Sequence, residues 1–163
     1  MALSKARKTT EGDTPLDVEQ KKKLNSTKRL PNAQHPVEIE YWYVLPAVRR
    51  EFAIQLKAVG NLRQKDVANI LGITEAAVSQ YLKGTRGVLE LRSGLNLELP
   101  SWLRDEVGVS CETVLEDVED RHTYLREVNR IITLIRDHPR DFLCKLHSEF
   151  GTAEEGCTVC FEI

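Results

Sequence analysis

Residues 61–84, "NLRQKDVANILGITEAAVSQYLKG", constrain the chain more than any other stretch, because two short helical patterns are pinched together across "LGIT". The first has an apolar face of Val67, Ala68, Ile70 and Leu71, with Asn61 as a candidate cap. Gly72 ends it, and Thr74 is placed to cap the next helix by accepting a backbone N–H. In the second, Val78 and Leu82 stand four apart, which marks a core-facing edge. Ala68 falls where the two helices cross, a place with room only for a small side chain. Gly72 is expected in the left-handed conformation that a residue with a Cβ resists. Ile73 and Val78 then plug the space between the helices.

The other face of the second helix is unusual for a solvated surface. Glu75, Ala76, Ser79 and Gln80 occupy it, with Ala76 and Ala77 offering a methyl surface, where long Glu and Lys side chains normally stand. Short side chains let a helix backbone lie close to base edges in the major groove of double-stranded DNA. There Ser79 and Gln80 can donate and accept, and alanine methyls can meet a thymine methyl. The spacing therefore predicts a helix-turn-helix whose second member, residues 75–83, is shaped for insertion.

Flanking segments extend the helical pattern. In "YWYVLPAVRREFAIQLKAVG", Leu45, Val48, Phe52 and Leu56 recur at three- and four-residue spacing, which predicts an amphipathic helix from Pro46 to Gly60. Tyr41, Trp42 and Tyr43 are expected to pack under it, and Arg49, Arg50 and Arg63 to be surface charges. Beyond residue 88, "VLELRSGLNLELPSWLRDEV" predicts one or two short helices, with Trp102 and Leu103 closing the core. A long helix is then expected from Ser110, as its cap, to a stop at Pro139. Leu115, Val118, His122, Leu125, Asn129 and Ile132 alternate at three- and four-residue spacing along it. Such a stripe suits a pairing seam, with two polar positions fixing register. It suits equally a helix packed back on the preceding domain.

"RQKDVANILGITEAAVSQYLKGTRG", residues 63–87, resembles the phage-repressor (Cro/cI-like, XRE-type) helix-turn-helix. With the preceding "YWYVLPAVRREFA" it is similar to a group of archaeal predicted transcriptional regulators built on that domain, over about residues 38–88. The resemblance implies that Gln64 braces a phosphate and a neighbouring recognition side chain. It also implies that Glu75, Ala76 and Ser79 read bases, and that Lys83 and Arg86 contact the DNA backbone. Glu75 departs from the more usual Gln or Thr of the family; a carboxylate is repelled by phosphate but can accept from cytosine N4. With Thr74 at the cap and Gln80 on the exposed face, these eight residues form the expected DNA site. Repressors of this type read paired half-sites, so a homodimer is expected.

The expected architecture is all-α. A five- or six-helix bundle containing the helix-turn-helix (residues 37–104) is followed by the long helix (105–140), expected to carry dimerisation through the stripe above, and by a small Cys-rich element (141–163). Residues 1–36, rich in Lys, Thr, Asn and Pro, carry too little apolar surface to offset ordering entropy. They read as a disordered basic tail, either solubilising or contacting phosphate. Charge is unevenly spread. Residues 1–36 hold eight Lys/Arg against four Asp/Glu, residues 37–88 seven against five, and residues 89–163 eight against sixteen. Only the first half is suited to approach a polyanion. No apolar run approaches a membrane span, and no apolar leader opens the chain, so a cytoplasmic, reducing compartment is expected.

Four cysteines, Cys111, Cys144, Cys157 and Cys160, fall in the last third. Cys144, His147, Cys157 and Cys160 follow the pattern C-x2-H-x9-C-x2-C, two pairs of soft or borderline ligands suited to tetrahedral zinc. Alternatively Cys111 replaces His147 and four thiolates hold an iron–sulfur cluster, or the thiols stay bare or act as a thiol–disulfide switch. A zinc ion there would staple an end with little core of its own, whereas an iron–sulfur cluster or a thiol–disulfide switch would make the regulator responsive to iron or redox state. G-x-S-x-G, P-loop and H-E-x-x-H signatures are lacking, so no enzyme is expected. The alternative to a DNA-binding regulator is a protein-interaction adaptor of helix-turn-helix fold with a structural zinc site.

Overall fold

A computed structural model describes residues 35–151 and 156–162. The expected basic tail lies outside the described residues as far as residue 34. Apart from one two-stranded ribbon, the architecture is all-α. In chain order the elements are α1 (Pro36–Ile39), a π-helical turn (Glu40–Val44), α2 (Leu45–Gly60), α3 (Gln64–Leu71), α4 (Glu75–Leu82), β1 (Leu89–Glu90), β2 (Asn96–Leu97), α5 (Ser101–Glu116), α6 (Arg121–Asp137), α7 (Leu143–Phe150) and a 3₁₀ turn (Val159–Phe161).

The first helical run begins ten residues before the expected start at Pro46. Pro36 opens it behind His35, whose side chain accepts from the Val37 N–H. Pro46 is therefore inside a run rather than at its beginning, where it supplies no N–H and crowds the carbonyl four residues back. The π turn meets this problem: the Leu45 N–H bonds to the Glu40 carbonyl, five residues back, so the backbone widens just before the proline. This widening is invisible to a reading that treats proline as a helix start. It also turns Tyr41 and Trp42 to solvent, against the expectation that they pack beneath the helix. Tyr43 alone is packed, stacked on Phe150 at 4.1 Å and 10°.

α2 is the central helix, with Val48, Phe52, Ala53 and Leu56 buried. Phe52 meets Tyr124 of α6 edge-on, ring centroids 5.3 Å apart. α2 ends at Gly60 as the pattern predicts, but Asn61 does not cap α3. It is the left-handed residue closing α2, at φ 46°. α3 instead starts after Arg63, and the Asp66 carboxylate reaches back to accept the Arg63 backbone N–H at 3.2 Å. Asn tolerates left-handed backbone through its short polar side chain, so the same residue type serves either end of a helix.

After α4 the expected short helix is a ribbon, Leu89 opposite Leu97 and Glu90 opposite Asn96. Gly94 at φ 78° makes its turn. Leu103 is fully buried, as expected of a residue closing the core, and Trp102 is half-buried.

The expected long helix from Ser110 to Pro139 is two helices. α5 ends at Glu116, and Asp120 caps α6 by accepting the His122 N–H at 2.8 Å. Ser110 is no cap; it lies fully buried inside α5. There it accepts from Arg130 Nη2 at 2.7 Å and donates to Glu127 at 2.6 Å. Arg130 also bonds the Glu106 carboxylate at 2.6 Å, which locks α5 to α6. The stripe that packs inward along α6 is Tyr124, Val128, Ile131 and Ile135. The expected stripe is broken by the link between α5 and α6: Leu115 is in α5, half-buried, and Val118 is in the link, exposed, while on α6 His122, Leu125 and Asn129 are exposed and Ile132 is half-buried.

Candidate nucleic-acid interface and cysteine cluster

α3 and α4 are joined by a three-residue turn, Gly72–Thr74. Gly72 adopts φ 65° and ψ 34°, and the Ile73 N–H returns to the Ala68 carbonyl at 3.1 Å. That bond satisfies a carbonyl the end of α3 would leave open. Thr74 is extended, and its Oγ1 accepts the Ala77 N–H at 3.1 Å, which fixes where α4 begins.

The inner edge of α4 is Ala77, Val78 and Tyr81. Two expectations shift here. Ala77 is buried and offers no methyl to a partner, and Tyr81 rather than half-buried Leu82 is the large core residue. Tyr81 falls three residues after Val78 and four after Ala77, a spacing the sequence does carry. Glu75, Ala76 and Gln80 are exposed along the outer edge, with Ser79 half-buried beside them. Gln64, the first residue of α3, is half-buried.

Beyond α4, Lys83 and Arg86 are exposed. The Arg86 guanidinium sits 5.3 Å from the centre of the Tyr81 ring, so a core aromatic steadies a surface cation. Thr85 returns both its backbone N–H (3.0 Å) and its hydroxyl (3.2 Å) to the Gln80 carbonyl. Gly87, at φ 72°, then brings the chain against α2, where a Cβ would stand 2.5 Å from the Pro46 oxygen. Lys83 and Arg86 are thus held next to the exposed edge of α4 by a closed turn.

Arg63 is committed elsewhere. Its Nε bonds the Asp66 carboxylate at 3.0 Å, and that bond holds Asp66 below the usual carboxylate range while raising the arginine. Glu75 adds a smaller upward push on Arg63, so the first carboxylate of α4 lies within its field.

At the other end of the described chain, α7 carries Cys144 and His147, and the 3₁₀ turn carries Cys160. His147 and Cys160 are buried, with His147 Nδ1 3.2 Å from Cys160 Sγ. Burial pushes the Cys160 thiol up to about 12, and the neighbouring Cys144 and Cys157 add to the rise. Cys111 stands apart. It is fully buried in α5, its thiol raised to about 12 by burial and then by Glu51 and Glu112. Among the described residues no group of three or more His, Cys, Asp and Glu side chains is arranged to hold a metal ion.

No protein-family model matches this chain, and neither a curated protein nor a solved structure does so. The resemblance of residues 63–87 therefore rests on those residues alone. No described helix is long and apolar enough to cross a membrane.

Proposed function

We propose that the protein is a sequence-specific DNA-binding regulator of transcription, in which α3 and α4 act as a helix-turn-helix and α4 enters the major groove. The observation that carries this reading is the division of α4. Its inner edge is consumed by Ala77, Val78 and Tyr81, while its outer edge presents only the short or neutral groups of Ala76, Ser79 and Gln80 behind Glu75. Lys83 and Arg86 lie at its C-terminal end as phosphate ligands. Gln64 and Thr74 complete the site. Glu75 selects against phosphate and toward a base-pair donor such as cytosine N4.

Reading of paired half-sites by a homodimer accompanies this function. Leu125 of α6 (54% exposed) and Val118 of the link before it (51%) are candidates for that contact.

The experiment is selection of bound sequences from a random duplex pool, followed by anisotropy titrations of the selected and scrambled duplexes at several salt concentrations. A recovered consensus, with affinity falling steeply as salt rises, is the expected result. No enrichment and a flat salt response would favour the adaptor reading, in which the same helices bind protein.

A further inference from the structure

We propose that the cleft between α2, the ribbon and the start of α5 binds a small organic acid, with its carboxylate on Arg50 and its apolar body against the aliphatic side chains of the wall. The site is independent of whether α4 meets DNA. The cleft has a volume of about 290 Å³, at the lower edge of the roughly 300–1,000 Å³ of ordinary ligand sites. Arg50 and Glu51 of α2, Glu98, and Arg104 of α5 supply its charges, and Ile54 and Leu97 are among its apolar groups.

These four charges are not equivalent. Arg104 Nη1 lies 3.6 Å from Glu98 Oε2. Glu51 accepts from Gln55 Nε2 at 2.7 Å, and the same nitrogen donates to the Arg104 carbonyl at 2.8 Å, which ties α2 to the first turn of α5. Arg50 is the exception. None of the ion pairs among the described residues includes it. Its Nε is buried with no hydrogen-bond partner among those residues. A buried donor left open carries a desolvation cost that a ligand acceptor would relieve. Arg50 is also preset. Sequence patterning places it among the surface charges, yet it is half-buried. A Cβ on Gly87 would stand 2.9 Å from its own Cβ, so the bare backbone of that turn confines the arginine stem. Less side-chain freedom is then lost on binding.

These features choose the ligand. Arginine presents its nitrogens as a planar fork, which a carboxylate meets with two parallel bonds. The Glu51 and Glu98 carboxylates in the same cleft repel a second negative charge, so a monocarboxylate suits the site and a phosphate does not. The aliphatic wall favours a branched or aliphatic body over a sugar. An ammonium group on that body would find an acceptor in Glu51, so a plain aliphatic acid and an aliphatic amino acid share the recognising chemistry.

The test is a titration of the isotope-labelled full chain with isovalerate, leucine, isovaleramide and inorganic phosphate, read by backbone amide chemical shifts. Isovalerate or leucine should saturate in the millimolar range, as befits so few atoms. The largest shifts should fall at Gly87, Val88 and Leu97, which line the cleft. Tighter binding of leucine would name the amino acid, and tighter binding of isovalerate the plain acid. The uncharged isovaleramide and phosphate should leave those amides unmoved. Arg50→Met keeps the stem but removes the fork, so affinity should fall roughly tenfold or more. Arg50→Lys keeps the charge without the fork and should recover only part of the loss. Lys57→Gln removes an exposed charge from the same helix outside the cleft and should change nothing. The amide spectrum of each variant reports its folding; were Arg50→Met unfolded, the comparison of acid with amide in the parent chain would decide. Cleft amides unmoved by both acids would overturn the proposal. So would isovaleramide binding as well as isovalerate, or undiminished affinity in a folded Arg50→Met.

Discussion

Arg136 of α6 places Nε 2.8 Å and Nη2 2.6 Å from the two carboxylate oxygens of Glu40, ninety-six residues earlier in the chain. Glu40 is buried in the π turn at 6% exposure, whereas the Arg136 side chain is 40% exposed. The fork thus fixes the widened turn that admits Pro46 to the helix carrying it from the far side of the bundle. Its two members are unequal: removing the arginine strands a buried carboxylate, whereas neutralising the carboxylate leaves an arginine that reaches water. Arg136→Ala should therefore cost about 2–3 kcal/mol, at or below the low end for breaking a buried pair because the arginine is partly solvated. Glu40→Gln should cost less. Urea unfolding of both variants checks the order, and a larger loss for Glu40→Gln would locate the cost elsewhere.

The base-reading role proposed for the exposed edge of α4 gives a prediction with two opposite signatures. Gln80→Ala removes a group that can pair with a base edge, so the ratio of operator to scrambled affinity should fall while the salt dependence stays. On the proposed docking Lys83 meets a phosphate, so Lys83→Ala should weaken all duplexes about equally and flatten the salt slope by about one unit. Both are measured by anisotropy against salt. If either variant binds both duplexes as the parent does, the assigned role of that residue is wrong.

The two glycines that frame this unit differ in why they are glycine. At Gly72, φ is 65° and a Cβ would meet nothing within 4 Å, so Gly72→Ala should cost only the backbone strain, about 1 kcal/mol. At Gly87 the same sign of φ is joined by a collision with the Pro46 oxygen and Arg50 Cβ. Gly87→Ala should lose a further 1 kcal/mol or more, roughly the cost of overpacking. It should also weaken DNA binding, because Arg86 is held by the same turn. Equal thermal shifts for the two variants would contradict this.

The α3–turn–α4 unit is legible in the sequence because its signals are local. Thr74 caps within three residues, Gly72 answers a backbone requirement, and Val67, Ala68 and Leu71 follow one helical period. Where the reading failed, the residue type alone left two local outcomes open and a specific contact decided. Ser110 looks like a helix start, yet it is occupied by Arg130 of the next helix. Asn61 is equally suited to close a helix or to open one, and only the Asp66–Arg63 contact decides. Tyr41 and Trp42 look like core from composition, but their direction is set by the π turn. On α6 two stripes interleave, and the sequence alone does not say which one meets α2. The cysteine pairs were legible as spacing; that His147 meets Cys160 required the fold.

That second stripe leads to a prediction about assembly. Leu125 is 54% exposed and sits where a pairing seam would place it, so Leu125→Asp should leave the folded monomer intact while shifting a dimer to monomer. Light scattering coupled to size exclusion reads the mass, and thermal unfolding reads the fold. Unchanged mass in a dimeric variant would move the interface to another surface. A loss of folding would instead make Leu125 part of the monomer core.

Acid should test the start of α6. The His122 N–H, donated to Asp120, is the largest influence holding that carboxyl below its ordinary range; burial opposes it, and the charge of Arg126 assists. A carboxyl depressed in the folded state is protonated first in the unfolded chain. Its contribution is therefore complete above the ordinary carboxylate range, declines as pH falls through that range, and is gone below the depressed folded value. Asp120→Asn keeps a side-chain oxygen able to cap but removes the charge. The parent should be the more stable at pH 7, and the gap should close progressively below about pH 4, the ordinary value for aspartate. Denaturant unfolding of both proteins across pH 7 to 2 measures the gap. A gap that stays constant to the lowest pH would show that the charge of Asp120 contributes nothing, leaving the cap geometry as its whole role.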